Sequence, residues 1–370
     1  MRTRVSEQFG IEFPIFAFSH CRDVVAAVSR AGGFGVLGAL AFTPEQLEIE
    51  LRWIDDHVDG KPYGVDVVMP ASYEGAGLAG GGDLEAQLEE MVPEEHRRFV
   101  EETLDRLGVP PLPSGVGQPQ HLLGWTDATA RPQVAVALSH PISLLANALG
   151  PPPEDVVDEA HAHGVKVAAL ASSAHHARKQ VEVGVDIVVA QGTEAGGHTG
   201  EIASLVLWPE VVDAIAPAPV LAAGGIGRGS QIAAALALGA EGVWTGSVWL
   251  TVAESDLLPL TIENLLEATS RDTVRSRAMT GKPARQLRTP WTEAWDAPDS
   301  PGALPMPLQF MLTAEAQARI SRAQKKELMG FPVGQIVGQM NEVKPVRDVI
   351  YEMVEEYLET TERLSATLGE

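Results

Sequence analysis

The feature that most restricts how this chain can fold is a series of eight short apolar segments, all but the first of them compact runs bounded by turn residues. They begin near Phe13, Phe34, Tyr63, Val134, Val165, Asp186, Val220 and Gly242. Stretches of helical period lie between them. Residues 23–31 (DVVAAVSRA) end at Gly32-Gly33, and Thr43-Pro44-Glu45 reads as a capped helix start, with Thr43 as cap and Pro44 in the first turn. Residues 153–163 and 174–183 supply two more helices. Strand–helix alternation implies a parallel sheet, and eight strands predict an α/β chain closed as a (β/α)8 TIM barrel. The fourth strand is placed at Gln133-Val-Ala-Val-Ala-Leu138. An open doubly wound sheet is the competitor, but its G-x-G-x-x-G turn belongs after strand one and is missing there.

The 370 residues then divide as follows. Residues 1–255 form the barrel, 256–345 a smaller, mostly helical lid domain, and 346–370 a helix packing back on the barrel. Within the barrel the rhythm breaks over about 70–132, where a glycine cluster (Gly75, Gly77, Gly80, Gly81, Gly82), an acidic helical stretch near 84–107 and a proline-rich run from Val109 follow one another. That length reads as an insertion on the loop face, either a lid or a flexible linker.

A formal net charge of −23 argues against nucleic acid or an anionic membrane surface as partner. The single cysteine, Cys21, excludes an internal disulfide framework and a cysteine-rich metal site. The opening Met1-Arg-Thr-Arg-Val-Ser-Glu7 lacks the apolar centre of a signal peptide, and no segment has the ~18 uninterrupted apolar residues of a membrane span, so a cytoplasmic protein is expected.

The chemistry concentrates late in the barrel. Gln191-Gly-Thr-Glu-Ala-Gly196-Gly197-His198 follows the sixth apolar segment. Its glycines cannot fill a core; they let backbone approach a planar or charged ligand while His198 presents an ionisable ring. The next segment ends in Ala223-Gly224-Gly225-Ile-Gly227-Arg228 and opens a helix, whose N–H groups and dipole suit a phosphate. The turn at Gly246-Ser247 offers the same one strand later, where barrels build phosphate sites. By this strand count His20, Asp66 and His140 also fall on the catalytic rim, with His20 and His140 as substrate-pocket candidates. No metal-ligand spacing appears among them.

These motifs, with Ala222-Ala-Gly-Gly-Ile226, Gly239-Ala-Glu-Gly-Val-Trp-Thr-Gly246-Ser247, the opening through Gly10-Ile-Glu-Phe-Pro-Ile15, Gly281-Lys-Pro-Ala-Arg285 and Gly334-Gln-Ile-Val-Gly338, resemble the FMN-dependent nitronate monooxygenases, also known as 2-nitropropane dioxygenases. The resemblance covers nearly the whole chain outside the 70–132 region. It implies an FMN-containing barrel that converts nitronates or nitroalkanes with O2 to a carbonyl compound and nitrite, and in which the nitronate reduces FMN by one electron. His198 matches the family's base or substrate contact, Gly224, Gly225, Gly246 and Ser247 its phosphate turns, and Gln335 and Gly338 a lid segment near the flavin. Gln191, Gly196, Gly197 and Ala223 join the implied cofactor contacts. So do Ala17 and Phe18, where many members have Pro-Met, and Asp66, where many have asparagine. The implied partners are a small-molecule substrate and O2; a homo-oligomer stays open. The other readings are an NAD(P)H-dependent quinone or enoyl-thioester reductase on the same barrel, and a non-redox barrel that binds a phosphorylated ligand.

Overall fold

The computed structural model describes residues 1–69, 84–113 and 127–368. The glycine cluster at 75–82 lies outside the described residues. Helix α1 (Arg4–Phe9) precedes β1 (Ile15–Ser19), α2 (Arg22–Arg30), β2 (Phe34–Gly38), α3 (Pro44–His57) and β3 (Tyr63–Asp66). Then come α4 (Leu84–Glu90), α5 (Glu94–Arg106), α6 (Asp127–Leu138) and β4 (Leu144–Asn147). Alternation resumes with α7 (Glu154–Ala162), β5 (Lys166–Ala171), α8 (Ala174–Glu182), β6 (Ile187–Gln191), the two-residue β7 (Gly197–His198), α9 (Ser204–Ile215), β8 (Val220–Ala223), α10 (Gly229–Ala237) and β9 (Gly242–Thr245). The remainder holds α11 (Pro259–Glu267), β10 (Thr273–Ser276), β11 (Ala284–Leu287), α12 (Pro290–Asp296), α13 (Leu308–Ala323) and α14 (Val346–Ala366).

Strands β1 to β6, β8 and β9 close in that order into a parallel barrel, with β9 paired back onto β1. The molecule is a (β/α)8 TIM barrel. Its strands are buried on both faces, which is why they read as continuous apolar runs. Alternate residues divide between two cores. Phe16, Phe34, Val36, Leu144, Ile187, Val189, Leu221 and Trp244 fill the lumen, while Val65, Leu145, Val188, Ala222 and Val243 meet the surrounding helices. Val5 and Phe9 of α1 join the lumen cluster, with the Phe9 ring edge-on to Phe16 at 5.5 Å and to Phe34 at 5.0 Å. The predicted cap at Thr43 forms as a capping box with Gln46, with Pro44 in the first turn.

One strand moves. Residues 133–138 belong to helix α6, and the fourth strand is Leu144–Asn147. The Val-Ala-Val-Ala alternation suggested period two, but Gln133, Val134, Ala137 and Leu138 are the buried positions, the spacing of one helical face. Gln133 decides the matter: its fully buried amide donates to the carbonyls of Ala39 and Phe42 at 3.0 and 2.6 Å, closing the turn after β2. His140 therefore precedes a strand instead of following one. It lies at the barrel's N-terminal end, opposite the catalytic rim.

The segment 84–113 packs against the C-terminal region. Val100, Leu104 and Val109 cluster with Trp291, Trp295 and Ile320, and buried Arg319 of α13 binds Glu101 and the carbonyls of Val109 and Pro110. Helix α14 lies against α10 and α2. The region after β9 also carries strands: β10, β11 and β7 form a three-stranded antiparallel sheet.

Candidate active site at the barrel mouth

The loop after β6 is held by its own side chains. The Glu194 carboxylate accepts from Ser204 N–H at 3.0 Å and from Ser204 Oγ at 2.8 Å, so it caps α9 across ten residues. A Cβ at Gly192 would sit 2.0 Å from Ser204 Oγ, which explains that glycine by packing. Gly196 is crossed by the chain at Val333-Gly334, 2.8 Å from where its Cβ would stand. Gln335 N–H donates to the Glu194 carbonyl at 2.9 Å, and Gly334 N–H donates to Ser247 Oγ at 2.8 Å. The loop after β6, the turn after β9 and residues 334–335 thus meet at one place. Gly338 does something else: its missing side chain makes room for Ser270, whose Oγ is 2.6 Å from the Cβ position.

His198 sits in β7, paired with Ala284 of β11. Its Nε2 lies 2.7 Å from Thr280 Oγ1, and Nδ1 has no protein partner among the described residues. One nitrogen is anchored and the other is open. Burial, and then the nearby Lys282 ammonium, push its pKa down to about 4, so the ring is neutral near pH 7. The sheet is fixed from below by Arg285, which donates to the Thr193 carbonyl at 2.9 Å and to Thr273 Oγ1 at 3.1 Å. Nothing in the sequence marks Thr280, Lys282 and Arg285 as site residues. The run Gly281–Arg285 was visible as a motif, but nothing in it says that it pairs with Gly197-His198.

The glycine turns after β8 and β9 present free donors. The N–H groups of Gly224, Gly225, Gly246 and Ser247 donate to no protein acceptor among the described residues. Gly224 and Gly225 take φ of +100° and +71°, which glycine adopts without strain. The Ala223 carbonyl just before them accepts from Gly192 N–H at 3.0 Å and Trp208 Nε1 at 3.1 Å, which fixes the turn's base. Ser247 Oγ accepts from Gly334, so its own hydroxyl proton can still be donated. The expected help from the α10 dipole is not available, however. Glu356 of α14 accepts from Gly229 N–H at 3.0 Å and Ser230 Oγ at 3.0 Å, and pairs with Arg228 at 2.6 Å. That carboxylate already occupies the helix N-terminus, so only the turn amides and Ser247 are left for an anion. Arg228 is likewise spent on Glu356.

Other predicted residues sort by strand face. Phe18 points into the lumen beside Trp244, whose ring centroid is 6.4 Å away. Its neighbour Ala17 faces the helix layer, so its side chain does not reach the mouth. His20 Nδ1 lies 3.0 Å from the Gly38 carbonyl. Desolvation by the surrounding wall lowers its pKa although the ring is solvent-accessible, as expected for a side chain lining a recess. Gln191 ends β6 at the register of Ala223. Asp66 ends β3, buried, with Oδ2 lacking a hydrogen-bond partner among the described residues. His140 is not brought here: its ring nitrogens lie 2.6 Å from Asp55 and 2.9 Å from Glu48, both on α3. Among the described residues no group of three or more His, Cys, Asp or Glu side chains gathers as metal ligands would, and no helix is long and apolar enough to cross a membrane.

Comparison with known proteins places this chain in a family. The profile described as nitronate monooxygenase matches residues 2–356. The Mycobacterium tuberculosis protein Rv1533, provisionally named a monooxygenase, is 56% identical over 98% of both chains. A Staphylococcus aureus protein, provisionally named a nitronate monooxygenase, is 29% identical over 90% of this chain and 91% of its own. Among solved structures, a nitroalkane oxidase from Streptomyces ansochromogenes superposes with a TM-score of 0.80 at 26% identity, covering 97% of this chain and 99% of that one. FabK from Thermotoga maritima gives a TM-score of 0.72 at 29% identity over 99% of each chain.

Proposed function

This chain belongs to the nitronate monooxygenase family and is a flavin-dependent oxidoreductase, and from that premise we propose that it binds FMN and oxidises nitronates with O2 to a carbonyl compound and nitrite. The observation that carries the reading is His198, with Nε2 on Thr280 and Nδ1 open, in the same glycine-lined mouth as the free turn amides. A planar phosphorylated cofactor suits that mouth. A Cβ at Gly197 or Gly246 would meet nothing within 4 Å, so the backbone there borders open space.

Gly224, Gly225, Gly246 and Ser247 would hold the phosphate, with the Ser247 hydroxyl as a side-chain donor. Phe18, Gln191 and Asp66 would border the ring system. When bound, the flavin supplies the electron acceptor for the substrate and the route by which electrons reach O2. His198 would orient the substrate and manage its proton. If Thr280 donates to Nε2, Nδ1–H is a donor toward an oxyanion; if Nε2–H donates to Thr280, Nδ1 is a base. A ring whose pKa is pushed down to about 4 is a weak base at neutral pH, which favours the first arrangement and a substrate that arrives already as the nitronate anion. Residues 256–345 would act as the lid, since Gly334 and Gln335 bond directly to the β6 and β9 loops. A cytoplasmic location fits these small-molecule partners.

The likeness to FabK keeps a nicotinamide-dependent reductase on this barrel as the second reading. An anaerobic visible spectrum separates them. Loss of flavin absorbance on adding propyl nitronate, with slow response to NADPH, is the expected result. Bleaching by NADPH with no response to nitronate would establish the reductase instead. A protein that shows no flavin absorbance even after FMN is added would remove the cofactor assignment.

A further inference from the structure

Asp66 is a buried acid with no partner for Oδ2 among the described residues, and the barrel's register explains why. In a parallel sheet, residues at matching register share a face. Asp66 is level with Gly38 on β2 and Ala146 on β4. Ala146 belongs to the lumen cluster, whereas Val65 faces the helices, so the Asp66 carboxyl points into the lumen at the C-terminal end of β3. One neighbour on that face has no side chain and the other has a methyl group. Neither can hydrogen-bond to a carboxyl. The imidazole of His20 and the ring of Phe18 cover Gly38, 2.7 and 2.8 Å from its Cβ position, and His20 spends Nδ1 on the Gly38 carbonyl. On the other side Asn147 is fully engaged, accepting from Met69 N–H and donating to the carbonyls of Met69 and Gly150. Helix α2 packs on the outer face of the sheet and does not look into the lumen.

Among the described residues no cation therefore stands by to hold Asp66 as a carboxylate. Desolvation alone pushes its pKa up to about 7. Its Oδ2 is buried without a partner. An unpartnered polar atom costs the fold free energy, and at the catalytic end of a barrel strand it points to a ligand that supplies the missing partner. A flavin ring edge presents mostly acceptors, two carbonyl oxygens and two imine nitrogens against one N–H. A protonated carboxyl complements that edge, and a carboxylate repels most of it.

We infer that Asp66 is the hydrogen-bond donor that the β3 side of the mouth offers to the flavin, and that loss of its proton to solvent weakens cofactor binding. This rests on the FMN reading above. It makes flavin retention pH-dependent across the neutral range, through a residue distinct from His198.

The test is FMN binding, followed by quenching of flavin fluorescence, to the apoprotein and to Asp66→Asn between about pH 5.5 and 8.5. Wild-type protein is expected to lose affinity by about tenfold per pH unit above the carboxyl's pKa, while the asparagine variant, a donor at every pH, keeps a flat profile. The variant also controls for titration of the FMN phosphate. A flat wild-type profile, equal slopes in both proteins, or wild-type affinity that rises with pH would overturn the assignment, the last by showing a carboxylate that accepts from the ring N–H. Failure of both proteins to take up FMN at any pH would defeat the FMN reading, and this inference with it. Infrared spectra of the wild-type apoprotein need no folded variant: a protonated-carboxyl C=O band should persist near pH 6 and fade by pH 8, and its absence at pH 6 would also overturn the inference.

Discussion

A histidine flanked by glycines has no packing partners in its own loop, so its chemistry is set by what reaches it from elsewhere. For His198 that is Thr280 at 2.7 Å, the burial that desolvates the ring, and the charge of nearby Lys282. The residue type and its glycine neighbours were legible from the chain. The anchor was not, because Thr280 is 82 residues away and its threonine has no signature of its own. His198→Ala should leave FMN bound while lowering nitronate turnover by about 100-fold or more, the cost of losing one oxyanion donor, measured by oxygen uptake. With FMN held at saturation, wild-type turnover should show no ionisation of His198 above roughly pH 5, because a pKa pushed down to about 4 leaves the ring neutral there. Unchanged turnover in the variant would take His198 out of the mechanism.

At the scale of elements, the misplaced fourth strand shows how helix and strand compete in a short apolar run. Four alternating residues fit either period, and the buried Gln133 amide, which bonds across to the turn after β2, selects the helix. That change moves His140 to the far end of the barrel, where it joins α3 to the start of β4. Both ring nitrogens touch carboxylates, so both must donate and the ring must be protonated. Burial by itself lowers its proton affinity, but hydrogen bonds to Asp55 and Glu48 outweigh that and raise it. Asp55 also accepts from the Tyr63 hydroxyl at 2.6 Å, and Glu48 pairs with Arg52. A folded pKa above the unfolded one means the stabilisation is full below about pH 6.5 and disappears as pH rises through the raised value. The melting temperature of the wild type should therefore drop more steeply than that of His140→Asn from pH 6.5 to 9. Parallel melting curves against pH would show that the pair of carboxylates adds nothing.

Across the whole molecule, the inserted segment is tied to the C-terminal region by one buried cation. Arg319 is 3% exposed and reaches Glu101 at 2.8 Å and the Val109 carbonyl at 3.2 Å. Arg319→Met would leave the buried Val109 carbonyl without its donor, at about 1–3 kcal/mol. Amide exchange should then speed up in α5 while the barrel helices keep their protection. Exchange unchanged in α5 would mean that the apolar cluster of Val100, Leu104, Trp291 and Trp295, with the Lys325–Leu107 and His96–Gly302 bonds, holds the segment without Arg319.

The barrel itself was determined by the sequence alone. Seven of the eight strands fall where apolar runs and turn residues put them, because burial on both faces and short-range turn chemistry are local properties of the chain. The same locality exposed the glycine turns after β8 and β9 and the loop around His198. Only the tertiary structure could decide which groups are already taken. Glu356, from the last helix, fills the α10 N-terminus and leaves only the turn amides and the Ser247 hydroxyl for an anion. Register sets Gly38 and Ala146 beside Asp66, so neither neighbouring strand gives it a partner. Hydrogen bonding is a matter of distance in space, and residues more than a hundred positions apart carry no mark in the chain of whether they will meet.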